Sequence, residues 1–185
     1  MTGSFLAFLG VSIIVIVTPG PDTAMTVRNR LLGGRTGGIL TALGVSTGQA
    51  IWALATAIGV VALLVASEPL FLAVKYAGAA YLVWLGLQSL YEAWRGRFEA
   101  APGERPAVRR LGPGSAFRQG VNSDLGNPKM AVFFASLLPQ FATPGEGMLT
   151  GLFALGLVFS LMTFLWLAAY PVLIAKAGDV VRLGR

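Results

Sequence analysis

Four ionisable residues fall within or close to long apolar runs. Asp22 closes the stretch Thr18-Pro19-Gly20-Pro21-Asp22, inside a run that begins at Ser4 and is still mostly apolar at Val27. Asp124 and Lys129 flank a second interruption, Asn127-Pro128. Lys75 is the fourth. Charged groups in hydrocarbon are costly, and usually face a cavity or one another. Proline suits the first turn of a helix, where its missing N–H would have been an orphan donor anyway. Asparagine before it is a good N-cap. Each interruption therefore reads as the start of a half-helix, one at Pro21 with Asp22 in its first turn, the other at Pro128 with Lys129 in its first turn. Half-helix N-termini offer unpaired N–H groups and a positive dipole end, and the segments before them leave free carbonyls. A zwitterion needs both, donors for its carboxylate and acceptors for its ammonium. The competing reading is a pair of proline kinks whose freed groups neighbouring helices satisfy. Two breaks, each beside an ionisable residue, favour the half-helices.

Such a site needs helices in a membrane, and the composition supplies them. Of the 185 residues, 55% are apolar and only 12% charged, with a mean hydropathy of +0.72. An ordinary soluble domain is about a quarter charged. The chain reads as an all-α, polytopic integral membrane protein. Apolar runs near the length of a membrane span, about 20 residues, cover 4–27, 37–66, 69–90, 116–140 and 148–175. The first cation is Arg28, so the first run reads as a retained span and not as a cleaved signal peptide.

Twelve of the fourteen cations lie in alternating segments: Arg28, Arg30 and Arg35; Arg95, Arg97, Arg105, Arg109, Arg110 and Arg118; and Lys176, Arg182 and Arg185. The connections between them, around Ser67-Glu68 and 141–147, contain no Arg or Lys. The positive-inside rule makes the basic side cytoplasmic, with the N-terminus outside. The net charge of +6 is then a matter of topology, and nucleic acid is not expected as a partner. There is no cysteine and no histidine. That excludes disulfides and thiol chemistry, removes the usual zinc and copper ligands, and leaves no cofactor to expect. A membrane enzyme would need a nucleophile–base pair or a metal cluster near the spans, and only scattered carboxylates are present.

The spacing suggests two related halves. Pro19 precedes the next span at Gly37 by 18 residues, and Pro128 precedes the span near Gly147 by 19. Broken segments at corresponding positions of opposite-facing halves are a transporter pattern. The chain then forms one domain, 1–185: a first repeat over 4–92, a cytoplasmic Pro/Gly/Arg-rich linker over 93–114, and a second repeat over 115–185 that lacks a counterpart of the third span. In the second span Ser46, Gln49, Ala53 and Thr56 share a helical face. Packing and cavity lining fit that stripe equally well. Gly44 and Gly48 form a GxxxG pair suited to close helix approach. For Lys75, snorkelling to the outer interface competes with a place in the site.

With "TPGPD" at 18–22, "RNRLLGGRTGGILTALGVSTGQAIW" after it, "KYAGAAYLVWLGLQSL" at 75–90 and "NPKMAVFFASLLPQF" at 127–141, the sequence resembles the LysE/RhtB family of amino-acid exporters. The resemblance runs from Phe5 to about Lys176. It implies six helices in two inverted three-helix halves, in the bacterial inner membrane, exporting amino acids or related small metabolites at the expense of the proton gradient. The family's two motifs fall on Thr18, Pro19, Gly20 and Pro21 and on Asn127, Pro128 and Lys129. Members continue through a sixth hydrophobic segment after a basic loop, and this sequence ends within such a loop. On this reading Asp22 is the proton-coupling carboxylate. Lys129, with N–H groups after Pro128, attracts the substrate carboxylate. Carbonyls before Pro19 and Pro128, with Gln49, take the ammonium. Asp22 and Lys129 either pair directly or are held apart. Asp124 and Lys75 complete the expected site. The partners are a zwitterionic substrate, protons and the lipid bilayer, and a homodimer is compatible with the pattern. The alternatives are a non-catalytic membrane scaffold and a transporter of another small metabolite.

Overall fold

The computed structural model describes residues 2–94, 111–142, 145 and 147–183. The described residues form helices α1 (Thr2–Val17), α2 (Pro21–Ala66), α3 (Glu68–Trp94), α4 (Pro113–Leu125), α5 (Pro128–Val132) and α6 (Met148–Leu183), without a strand among them. Most of the expected linker, residues 95–110, lies outside the described residues, as does Arg185.

The first apolar run is broken where the prolines fall. α1 ends at Val17, and α2 starts at Pro21. The fourth run is broken likewise, between α4 and α5, with Asn127 as the N-cap of α5. Past α5 the winding loosens into a π-turn, Phe133–Leu137, and then tightens into a 3-10 turn, Leu138–Phe141. Pro139 gives a local cause, because it has no N–H to offer the carbonyl four residues back.

One connection differs from its expectation. No loop separates the first two spans around Arg28, Arg30 and Arg35. Helix runs up to Gly34 on both sides, and the reversal takes place at that residue, at φ 64° and ψ −157°. A side chain bearing a Cβ is strained at that φ, so glycine is required there. The Asn29 Nδ2 atom donates to Thr41 Oγ1 at 2.9 Å. Twelve residues of straight helix would hold these positions about 18 Å apart. The 21–33 and 35–66 segments of α2 are therefore a hairpin.

Close approach of the helices depends on glycine. A Cβ at Gly44 would overlap the Phe117 carbonyl, and one at Gly120 would overlap the Thr41 carbonyl, so α2 and α4 touch backbone to backbone. Gly48 gives room to the Asp124 side chain. Gly156 of α6 sits on Ala53, and Gly78 of α3 sits on Ser136. Without a hydrophobic drive between helices in lipid, such contacts carry the association. Aromatic rings fill the space between them. Phe133 stacks on Phe159 with centroids 4.3 Å apart, and Phe8 meets Phe141 edge-on.

Burial runs opposite to that of a water-soluble bundle. Asn29, Thr41, Gln49, Asp124 and Asn127 are buried, whereas Ile14, Leu31, Ile58, Val83, Trp84 and Leu165 are exposed. Among the described residues, Pro21–Val60, Pro69–Gln88 and Met148–Tyr170 are apolar and long enough to cross a membrane, and Ser4–Val17 is a shorter apolar helix. The apolar exterior is the lipid-facing surface, and the polar residues line the interior, where helices satisfy one another.

Candidate functional site

The two breaks meet and exchange charges. Asp22, in the first turn of α2, is buried. Its Oδ1 accepts from Ser123 Oγ at 2.6 Å and its Oδ2 from Asn127 Nδ2 at 2.7 Å. Both donors belong to the second break. Ser123 sits four residues before Asn127, so the α4 end and the α5 cap reach the same carboxylate. In return, Lys129 reaches the first break. Its Nζ donates to the carbonyls of Val15 and Thr18, each at 3.1 Å. These are carbonyls at the end of α1, where the dipole is negative and helical partners run out. Gly20 leaves space for this, since a Cβ there would come within 3.3 Å of Nζ.

Each break also satisfies part of its own backbone. The Asn127 side chain accepts from the Lys129 N–H at 3.0 Å, and its carbonyl accepts from Met130 and Ala131. At the end of α4, Gly126 N–H bonds the Asn122 carbonyl, and Asn127 N–H bonds that of Asp124. The N–H groups after Pro128, expected to take a substrate carboxylate, are thus engaged in this conformation. So are the carbonyls expected to take an ammonium: Lys129 holds those before Pro19, and the backbone holds those before Pro128.

Asp22 and Lys129 are satisfied separately and lie in electrostatic reach of each other and of Asp124. Asp124 is fully buried on α4, with neither carboxyl oxygen hydrogen-bonded. The Gln49 side chain faces it from α2. Gln49 Nε2 turns to the Met130 sulfur at 3.5 Å, and its Oε1 has no partner. A small cavity of about 20 Å³ lies between Asp22, Gly20, Gln49 and Lys129, with Val15, Phe159 and Thr163 on its walls. That volume holds about one water. The site is closed around its own charges.

Residues 13–182 match the family model of the LysE type translocator. The chain belongs to that family. It is 28% identical to the uncharacterized membrane protein YrhP of Bacillus subtilis, over 88% of this chain and 79% of that one. An uncharacterized membrane protein of Pseudomonas aeruginosa is 36% identical, over 74% of this chain and 62% of that one. One of Vibrio cholerae is 30% identical, over 96% and 84%. No solved structure matches the chain.

In this LysE type translocator, most of the residues singled out from the sequence come together. Thr18, Gly20, Asp22, Asn127 and Lys129 form one cluster, with Gln49 and Asp124 beside it, and Pro19, Pro21 and Pro128 shape the two breaks. Lys75 does not join. It is partly exposed on α3, 6.0 Å from the Tyr76 ring centroid. The polar stripe of the second span divides its work. Ser46 donates to the Ser160 carbonyl and Ala53 packs on Gly156, whereas Gln49 lines the cavity. Sequence reasoning missed Ser123 and the Val15 carbonyl. Ser123 carried no periodic signal, because the helix that holds it ends at Leu125, before Asn127.

Proposed function

We propose that this membrane transporter is a secondary exporter of amino acids or closely related zwitterions, coupled to the proton gradient. The observation that carries the reading is the exchange across the breaks: the Lys129 ammonium on the end of α1, and the Asp22 carboxylate on Ser123 and Asn127. An ammonium already occupies an acceptor pair made of backbone carbonyls, and a carboxylate already occupies a donor pair. A zwitterion can replace these internal partners group for group. Its ammonium takes the Val15 and Thr18 carbonyls as Lys129 swings out, and Lys129 turns to its carboxylate. The cavity is too small for substrate as it stands, so exchange requires the bundle to open on one side at a time.

The two breaks and their opposed charges support an inverted relation between the halves, with the site at their interface. The basic segments then face the cytoplasm of a bacterial cell, in its inner membrane. A non-catalytic scaffold accounts for the glycine contacts and leaves the buried charges without a purpose, although they are costly there.

The test is efflux. Bacteria expressing the chain are loaded with dipeptides, and the whole amino-acid panel is followed outside, beside an Asp22→Asn control. Faster release of one amino acid or a small class, lost in the control, is the expected result. An unchanged panel in cells whose membranes contain the protein would sink the exporter reading.

A further inference from the structure

The site holds two carboxyl groups and one ammonium, and they are treated differently. With both acids ionised, the buried cluster of Asp22, Asp124 and Lys129 would carry a net charge of about −1. The charged groups that reach Asp124 are Asp22 from the start of α2 and Lys129 from α5. The later part of α2 presents Gly48 and Gln49 to it. One bound proton makes the cluster neutral.

The hydrogen bonds decide which acid holds that proton. Asp22 has a donor on each oxygen, at 2.6 and 2.7 Å, the short distances of bonds to an ionised acceptor. Asp124 has a donor on neither oxygen. It faces Gln49, whose carbonyl oxygen also lacks a donor. A buried carboxylate with a donor on neither oxygen is costly, and a bound proton removes the charge that makes it so.

We propose that Asp124 is the proton carrier of this site: in the closed conformation its carboxyl is protonated, while Asp22 stays ionised opposite Lys129. This moves the coupling role from Asp22, where the sequence suggested it, to the acid that the second break leaves unpartnered. Asp124 is absent from the cavity wall and Gln49 is on it, so Gln49 stands between the cavity and the proton. The proton enters from the outer side, is held as the Asp124 O–H, and leaves to the cytoplasm as the carboxylate reforms. Protonation stands on the geometry alone, and the word carrier rests on the exporter reading.

The full chain in lipid bilayers allows a direct test. Its three aspartates follow different residues: Pro21-Asp22, Ser123-Asp124 and Gly178-Asp179. Selective pair labelling therefore assigns each Asp Cγ in carbon-13 NMR without any substitution. At neutral pH the expected spectrum has the Asp124 Cγ at the position of a carboxylic acid and the Asp22 Cγ at that of a carboxylate. A carboxylate signal at Asp124 overturns the proposal. In reconstituted vesicles, Asp124→Asn mimics the protonated acid. It should keep substrate exchange and lose all accumulation driven by a pH gradient. Gradient-driven accumulation that survives Asp124→Asn overturns the carrier role. If the NMR result holds and the wild type moves no amino acid, the proton site stands and the exporter reading falls.

Discussion

The two helix breaks resemble each other in sequence, and the structure leaves them unequal. The first, at 18–20, leaves the Val15 and Thr18 carbonyls of the α1 end to a cation from the other half of the chain. The second, at Gly126 and Asn127, caps itself, with the Asn127 side chain and carbonyl taking three N–H groups of α5. It then sends its lysine across. One break is an open acceptor and the other is a closed turn carrying the ammonium that fills it. The proposed exchange needs this inequality, a fixed acceptor with a tethered occupant, whereas two self-capped breaks would be only kinks.

The largest effect follows from removing the tethered occupant. Lys129→Met keeps the length of the stem and deletes the charge. It leaves Asp22 without a counter-charge and two carbonyls without a donor. Breaking one side of a buried ionic arrangement costs about 3–5 kcal/mol. We expect detergent-extracted yield to fall severalfold and efflux to fall to that of cells without the protein. Wild-type yield and efflux together would mean that the exchange across the breaks carries no energy.

Asn127→Ala comes next. It removes the N-cap of α5 and one of the two donors to Asp22. The combined loss is about 2–4 kcal/mol. Thermal unfolding in detergent should shift down, and Asn127→Asp should recover less than the cap alone predicts, because it sets a second carboxylate against Asp22.

These sites were legible from the sequence to different depths. The breaks were, since Pro and Asn change what a backbone can do at the residue where they stand. The close approach at Gly44 was too, since a GxxxG pair can serve little else in a helix this apolar. Which groups would meet was not. Ser123 lies 101 residues from Asp22, and the Lys129 ammonium finds Val15 at a separation of 114. Such contacts are fixed by how the helices pack, and helical periodicity carries no such information. The reversal at Gly34 was hidden for another reason. Four glycines, Gly33, Gly34, Gly37 and Gly38, crowd the stretch, and nothing in it marks which one takes the positive φ, so a single residue turns the chain where a loop of several was expected. The isolation of Asp124 is subtler still. It depends on Ser123 and Asn127 both choosing the other acid.

Gly44→Ala tests the frame that holds the two breaks together. The added methyl would overlap the Phe117 carbonyl, and backbone cannot turn aside as a side chain can. The expected cost is about 1–3 kcal/mol. Gly59→Ala is the control, because nothing lies within 4 Å of the added carbon. A loss of thermal stability in the first and none in the second places the effect in the α2–α4 contact. Equal losses would assign it to glycine content.

The smallest effect is predicted for the other intramembrane lysine. Lys75 has the same side chain as Lys129, but stands partly exposed on α3, away from the cavity, with the Tyr76 ring centroid at 6.0 Å. A cation over a ring at such a site contributes about 0.5–1 kcal/mol, and its aliphatic stem can carry the charge toward the interface. Lys75→Gln should therefore shift thermal stability by no more than about 1 kcal/mol and leave efflux at the wild-type rate. The contrast with Lys129→Met then isolates position from residue type: what matters is not a lysine in the membrane but a lysine that can reach the open end of α1. Loss of efflux in Lys75→Gln at wild-type yield would mean that α3 joins the cavity in another conformation, and the two-break account of the site would have to grow to include it.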